Sequence, residues 1–250
     1  MNRLIPLCCA AFSVAALASA APVAAADPSC KHPGDVLDLK NWKQTLPTGS
    51  AEKPKEVKQP ALATFSADPW FVPTPDCAGV QFRAAVNGVT TSGSGYPRSE
   101  LREMTSNGKD NASWSSSSGK HVLEVEAAVT RLPNGKPHVV AAQIHDGSDD
   151  VSVFRVEGNK VYVTKGDDTH FHLVTSSYEL GRKFVARFEV SGGRIKAFFD
   201  GKLAVEIPKK FSGGYFKTGA YVQANCSNSS PCSGANHGEV RVFRVGVAHS

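Results

Sequence analysis

From Val80 onward the chain breaks into short alternating or apolar runs rich in Val, Phe and Tyr, separated by turn residues at roughly eight- to twelve-residue intervals. That spacing is strand spacing. Residues 151–156 and 160–164 flank Gly158-Asn159, residues 184–190 and 194–199 flank Ser191-Gly192-Gly193, and Asp200-Gly201 turns the chain into residues 202–207. All three junctions carry hairpin chemistry. A short turn at residues 37–42 excepted, no stretch shows a sustained helical period with caps. The sequence therefore predicts an all-β chain. More than ten strands in one domain's length suit a jelly-roll β-sandwich of two antiparallel sheets, one of them curved into a concave cleft. No repeat points to a propeller or solenoid. The Ser/Gly-rich stretches 90–95 and 105–119 read as mobile loops, either lids or plain solvated connections.

The beginning of the chain predicts export. Arg3 supplies a positive start, residues 4–17 an apolar stretch that includes Cys8 and Cys9, and residues 18–20 or 24–26 a small-residue cleavage site. A membrane span is the competing possibility, but the run is short and meets Pro22 and Asp27 at once. Residues 1–26 are thus expected to be a signal peptide and residues 27–250 a single secreted domain, extracellular or periplasmic, with no membrane partner after cleavage. Cys30, Cys77, Cys226 and Cys232 then remain, an even number in an oxidising compartment. Cys226 and Cys232 bracket a turn-rich loop that can close on itself, which leaves Cys30 to tie the N-terminal segment to Cys77. Zinc is the alternative, without supporting C-x-x-C spacing or a nearby His pair. With 41% hydrophobic and 20% charged residues the chain is neither disordered nor coiled coil, and its formal net charge of +5 makes it mildly basic.

Period-two arithmetic singles out three strands, because alternate residues share a face about 7 Å apart. In residues 97–104 one face carries Arg98, Glu100 and Arg102. In residues 139–146 Gln143 and His145 share a face while Ile144 takes the other. In residues 215–223 Lys217, Tyr221 and Gln223 share a face with Gly219 between them, and Phe216, Ala220 and Val222 form the back. A solvated sheet face is the bland explanation for any one strand. Solvent faces favour Lys, Glu, Thr and Ser, however, whereas these offer Arg, Gln, His and Tyr, which bind carboxylates and move protons. Gly219 suggests close approach of a ligand.

These segments, Arg98-Ser99-Glu100-Leu101-Arg102-Glu103, Gln143-Ile144-His145 and Tyr215-Phe216-Lys217-Thr218-Gly219-Ala220-Tyr221-Val222-Gln223, resemble in order the three signature strands of the alginate lyases of polysaccharide lyase family 7. Asn41-Trp42-Lys43-Gln44-Thr45-Leu46-Pro47 resembles that family's N-terminal signature, so the likeness covers nearly all of residues 27–250. The resemblance implies a jelly roll with a cleft over its concave sheet. It also implies catalytic roles for Arg98, Gln143, His145 and Tyr221, and cleft-lining roles for Glu100, Arg102, Lys217 and Gln223. Isoleucine at position 144 goes, in that family, with guluronate-containing blocks.

The implied reaction is β-elimination. The proton on C5 of a uronate leaves, the O4-linked sugar is expelled, and an unsaturated sugar remains at the new non-reducing end. Arg98 and Gln143 suit neutralisation of the uronate carboxylate, whose charge grows as the proton departs. A free tyrosine titrates at about 10, so a basic Tyr221 needs cations close by, Arg98 and Lys217 being at hand. In mannuronate the proton and leaving oxygen lie on one side, and Tyr221 can both take and return the proton. In guluronate they lie on opposite sides, which asks for a neutral His145 as base and Tyr221 as acid. Glu100, between two arginines, is expected to orient them. No metal or other cofactor is expected: His170 with His172, and Asp146 with Asp149 and Asp150, form no complete motif. The expected partner is an acidic polysaccharide, alginate, bound by a monomer and more weakly as salt rises; nucleic acid lacks a motif. Two alternatives stay open: a two-carboxylate hydrolase using Glu124 and Glu126, and a binding module for acidic glycans.

Overall fold

The computed structural model describes Met1 and residues 29–250, and the expected leader and its cleavage site otherwise lie outside the described residues. The described residues form two antiparallel sheets packed face to face. In spatial order one sheet runs β11 (Asp168–Thr175), β10 (Lys160–Lys165), β9 (Asp150–Glu157), β8 (His138–His145), β15 (Tyr215–Val222), β5 (Arg98–Thr105), β1 (Trp42–Ser50) and β2 (Lys53–Val57), with the short β6 (Asp110–Asn111) attached to β5. The other runs β14 (Lys202–Pro208), β13 (Arg194–Phe199), β12 (Phe184–Ser191), β7 (Lys120–Arg131), β16 (His237–His249), β4 (Val80–Ala85) and β3 (Phe71–Pro73). This is the jelly-roll sandwich that the strand count predicts, and the three hairpin junctions fall where the turn residues place them.

The core lies between the sheets, where period-two alternation delivers one side chain in two. Phe71, Phe82, Leu101, Leu123, Ile144, Phe154, Phe188 and Phe216 are all fully buried there. Phe71 tilts against Phe82 at 5.1 Å and Phe154 against Phe188 at 4.8 Å between ring centroids. The short turn expected at residues 37–42 is wound earlier, as a 3-10 turn at Pro33–Asp35. Pro33 presets its first position, and the Asp35 carboxylate accepts hydrogen bonds from the backbone N–H groups of Lys31 and His32, each at 2.8 Å. Leu37 and Leu39 are buried in the core instead, and Trp42 opens β1. Cys30 pairs with Cys77 and Cys226 with Cys232, at Cα–Cα distances of 5.8 and 4.8 Å. No helix among the described residues is long and apolar enough to cross a membrane.

One charged residue points into the sandwich. Glu103 is 2% exposed. Its carboxylate accepts from Trp114 Nε1 at 3.1 Å and from the backbone N–H of Phe216 at 2.8 Å, and His249 Nε2 lies 2.6 Å away. The bonds gather β15, β16 and the loop at residues 105–119 around β5. That loop is therefore no free lid, since Trp114 also exchanges two backbone hydrogen bonds with Gly214 and stacks on His121 at 4.4 Å. Replacing Glu103 by Ala leaves two buried N–H donors unmet, and is expected to cost about 3 kcal/mol in a denaturant titration.

Candidate active site

The three signature segments become neighbouring strands, with β15 in the middle, β5 on one side and β8 on the other. Register then sets their polar residues in cross-strand rows. Lys217 pairs with both Arg102 and Gln143, Gly219 with Glu100, Tyr221 with Arg98, and Tyr215 with His145. One sheet face thus holds every residue that the sequence selects on these strands, and Gln223 follows just past the end of β15. Gln223 and Tyr221 line a cavity of about 150 Å³ with Val140, Asp150 and Arg155. A larger hollow of about 640 Å³ lies near the N-terminal turn, between Leu37, Leu39, Pro60 and Ala63, and contains none of these residues.

Glu100 is the hub of the face. Its carboxylate, 2% exposed, meets Arg98 Nη1 at 3.3 Å and Lys217 Nζ at 3.4 Å, and accepts a hydrogen bond from Gln143 Nε2. The sequence places Glu100 between two arginines, whereas the structure gives it Arg98, Lys217 and Gln143. Arg102 turns elsewhere, donating to Asn111 Oδ1 at 2.8 Å and covering the Tyr215 ring, 3.8 Å from its centroid. Arg98 likewise lies over the ring of Tyr221 at 3.9 Å rather than at its hydroxyl. That hydroxyl shares a 2.9 Å hydrogen bond with Ser94 Oγ, from the loop at residues 90–95. Asn225 Nδ2 in turn donates to the Gly95 carbonyl at 2.9 Å, so the Cys226–Cys232 loop abuts the segment that touches Tyr221.

His145 sits at the other end of this patch. Its Nδ1 lies 2.6 Å from the Asp146 carbonyl oxygen and 2.9 Å from the Tyr215 hydroxyl. A carbonyl only accepts, so Nδ1 carries the ring hydrogen and Nε2 the lone pair. Burial first, and Lys217 second, hold the His145 pKa below the ordinary 6.5, which keeps the ring neutral. Burial also draws Lys217 down to about 8, against the opposing pull of Glu100. Arg98, Arg102 and Lys217 outnumber the Glu100 carboxylate on this face, although only Arg98 and Lys217 touch it, so the patch attracts anions.

Gly219 has a different reason from the one the sequence suggests. Its φ of +137° suits glycine, and a Cβ there would lie 2.5 Å from the Ser99 carbonyl oxygen and 2.9 Å from Glu100 Cα. Close packing of β15 on β5 requires the glycine. Gly219→Ala is expected to cost about 2–4 kcal/mol, read as a lowered midpoint in thermal unfolding.

Other candidates fall away from the site. Glu124 and Glu126 stand on β7 of the opposite sheet, in ion pairs with Arg187, Arg244 and Lys183. The carboxylate pair required by a hydrolase is therefore not on the polar face. His170 bonds to Glu157 at 2.8 Å on the edge strand β11, and Asp146 bonds to Ser148 within its own turn. Sequence reasoning missed Tyr215 and Ser94. Tyr215 shares parity with Lys217 and Tyr221, a usable signal, whereas nothing local marks a loop serine as the partner of a tyrosine 127 residues away.

This jelly roll, with one sheet face given to arginine, glutamine, histidine and tyrosine around a buried carboxylate, is a polysaccharide lyase by its family. More narrowly, the chain belongs to the alginate lyase family, whose model matches residues 37–249. It is 59% identical to the alginate lyase from Corynebacterium sp., whose crystal structure superposes with a TM-score of 0.87 over 88% of this chain and 99% of that one. The alginate lyase AlgAT5 of polysaccharide lyase family 7 is 42% identical, with a TM-score of 0.83 over 88% of this chain and 99% of that one. A curated Klebsiella pneumoniae alginate lyase matches at 35% identity over 79 residues, 30% of this chain and 26% of that protein, so the match spans about a quarter of that relative.

Proposed function

We propose that the protein is a secreted endolytic alginate lyase that cleaves the 1,4-glycosidic bond by β-elimination and favours guluronate-containing blocks. The observation that carries this is a neutral His145 with a bare Nε2 on the same sheet face as the Tyr221 hydroxyl, with carboxylate-binding groups between them. The register sets His145 opposite Tyr215 and Tyr221 further along β15, and the reaction requires one uronate unit to reach both. Arg98 and Gln143, both turned to Glu100 in the free protein, hold the uronate carboxylate. His145 takes the C5 proton of guluronate, and Tyr221 gives its own to O4. In mannuronate Tyr221 does both. Glu100, Arg102, Lys217 and Gln223 bind and orient the chain. The two cysteine pairs support an oxidising, exported setting. Ile144 is fully buried on the core side, so it bears on block preference only through the family resemblance.

The test is incubation with polyguluronate, polymannuronate and alginate, a chelator present, following ultraviolet absorbance and viscosity. Endolytic elimination predicts an early fall in viscosity with rising absorbance, fastest on polyguluronate. Slow viscosity loss against steady absorbance would mean exolytic release, and a faster rise on polymannuronate would reverse the preference. Binding with no absorbance would leave a carbohydrate-binding module.

Two of the site's shifted groups, His145 and Lys217, set the limbs of the pH profile. The base must be neutral, so the acid limb of kcat/KM on polyguluronate is expected below the ordinary histidine value of about 6.5. Lys217 is charged only below about 8, so binding of the polyanion weakens above that pH. A rate profile between pH 4 and 10 checks both limbs.

A further inference from the structure

His145 Nδ1 has two neighbours and one hydrogen. The Asp146 carbonyl claims that hydrogen, and the Tyr215 hydroxyl oxygen at 2.9 Å takes the other branch of a shared N–H. Tyr215 does more than accept. It lies on β15 between β5 and β8, so Arg102 reaches its ring from one strand and His145 from the other. The His145 ring stacks on it with centroids 5.1 Å apart and planes 22° from parallel, and the Arg102 guanidinium lies 3.8 Å from its centroid. Arg102 is itself pinned by Asn111 Oδ1 and by the Glu103 carbonyl at 3.0 Å. Burial raises the Tyr215 pKa, so the hydroxyl stays neutral in the working range.

We propose that Tyr215 is a positioning residue for the elimination: its ring and hydroxyl lock the His145 imidazole in the Nδ1–H tautomer, with the Nε2 lone pair free for substrate. The proposal rests on the lyase function above. In that reaction the C5–H bond breaks as an N–H bond forms at Nε2. The freed electron pair becomes the C4–C5 double bond, the C4–O4 bond breaks, and O4 receives the Tyr221 proton. The imidazolium keeps its Nδ1–H on the same two oxygens, so no group has to reorient as charge arrives. The charged and titratable groups around His145 are Lys217, Arg98, Glu100 and the adjoining Asp146, with Asp150 opposite it on β9 and Arg102 beyond the Tyr215 ring.

The test compares the wild type with Tyr215→Phe and Tyr215→Leu. Tyr215 is partly exposed and the core-facing residues of β15 are Phe216, Thr218, Ala220 and Val222, so neither change enters the core. Nitrogen NMR of labelled protein reads the His145 tautomer without substrate. The wild type is expected to show hydrogen on Nδ1 alone. Tyr215→Phe, which keeps the stack, is expected to lose about 5-fold in kcat on polyguluronate with KM unchanged. Tyr215→Leu is expected to lose about 100-fold in kcat, to populate the Nε2–H tautomer, and to move the acid limb of kcat/KM upward as His145 becomes solvated. An unchanged tautomer and acid limb in Tyr215→Leu would overturn the proposal; if that variant fails to fold, an unchanged tautomer and kcat in Tyr215→Phe would do so. A wild type that forms no unsaturated product would count against the lyase assignment alone, because the tautomer is read independently.

Discussion

Tyr221→Phe is expected to lower turnover by about 10³-fold on polyguluronate and on polymannuronate alike, while oligosaccharide binding changes less than about 3-fold. The hydroxyl is the proton donor to O4 in one reaction, and base and acid in the other, so one oxygen serves both substrates. The ring keeps its place without it. Arg98 still covers its face and Tyr221 still pairs with Arg98 across the strands, so the cleft wall and its charge survive. Stopped turnover with retained binding, measured by calorimetry on a guluronate oligosaccharide, separates a chemical role from a packing one. Near-normal turnover would remove Tyr221 from the mechanism.

Arg98→Ala is the second large effect. Arg98 is 7% exposed, so its charge acts in a poorly hydrated setting, and its forked N–H groups suit the two oxygens of a carboxylate whose charge grows as the C5 proton leaves. Loss of one such donor costs about 3–4 kcal/mol of barrier, a fall in kcat of about 10²- to 10³-fold. Arg98→Lys is expected to recover only a small part, because a single ammonium does not reproduce the fork. Steady-state kinetics on polyguluronate decide this. A rise in KM with kcat intact would mean that Arg98 binds ground state and transition state equally.

Much of this was legible in the sequence because two strands obey strict alternation. On β5 and β15 the face assignments hold residue by residue, and the polar face follows from counting by two. On β8 the alternation breaks. Val139 shares nominal parity with Gln143 yet lies in the core, because the register shifts between Val140 and Ala142 and inserts one residue. The displaced Ala141 carbonyl accepts from Thr218 Oγ1 at 2.9 Å, a contact that no local pattern announces. Partners across strands were equally hidden. Reading Glu100 with Arg102 used neighbours two apart on one strand, whereas the observed ion pair with Lys217 depends on which strand lies alongside. Gly219 shows the same limit, since a glycine that admits a ligand and one that admits a neighbouring backbone look alike in sequence.

The central claim is elimination, and stoichiometry tests it most directly. Polyguluronate is digested with the wild type, and unsaturated uronates, from ultraviolet absorbance, are counted against new reducing ends over the same time course. One unsaturated end per new reducing end, abolished in Tyr221→Phe, is the predicted result. New reducing ends without absorbance would mean that water enters the bond, and would contradict the account.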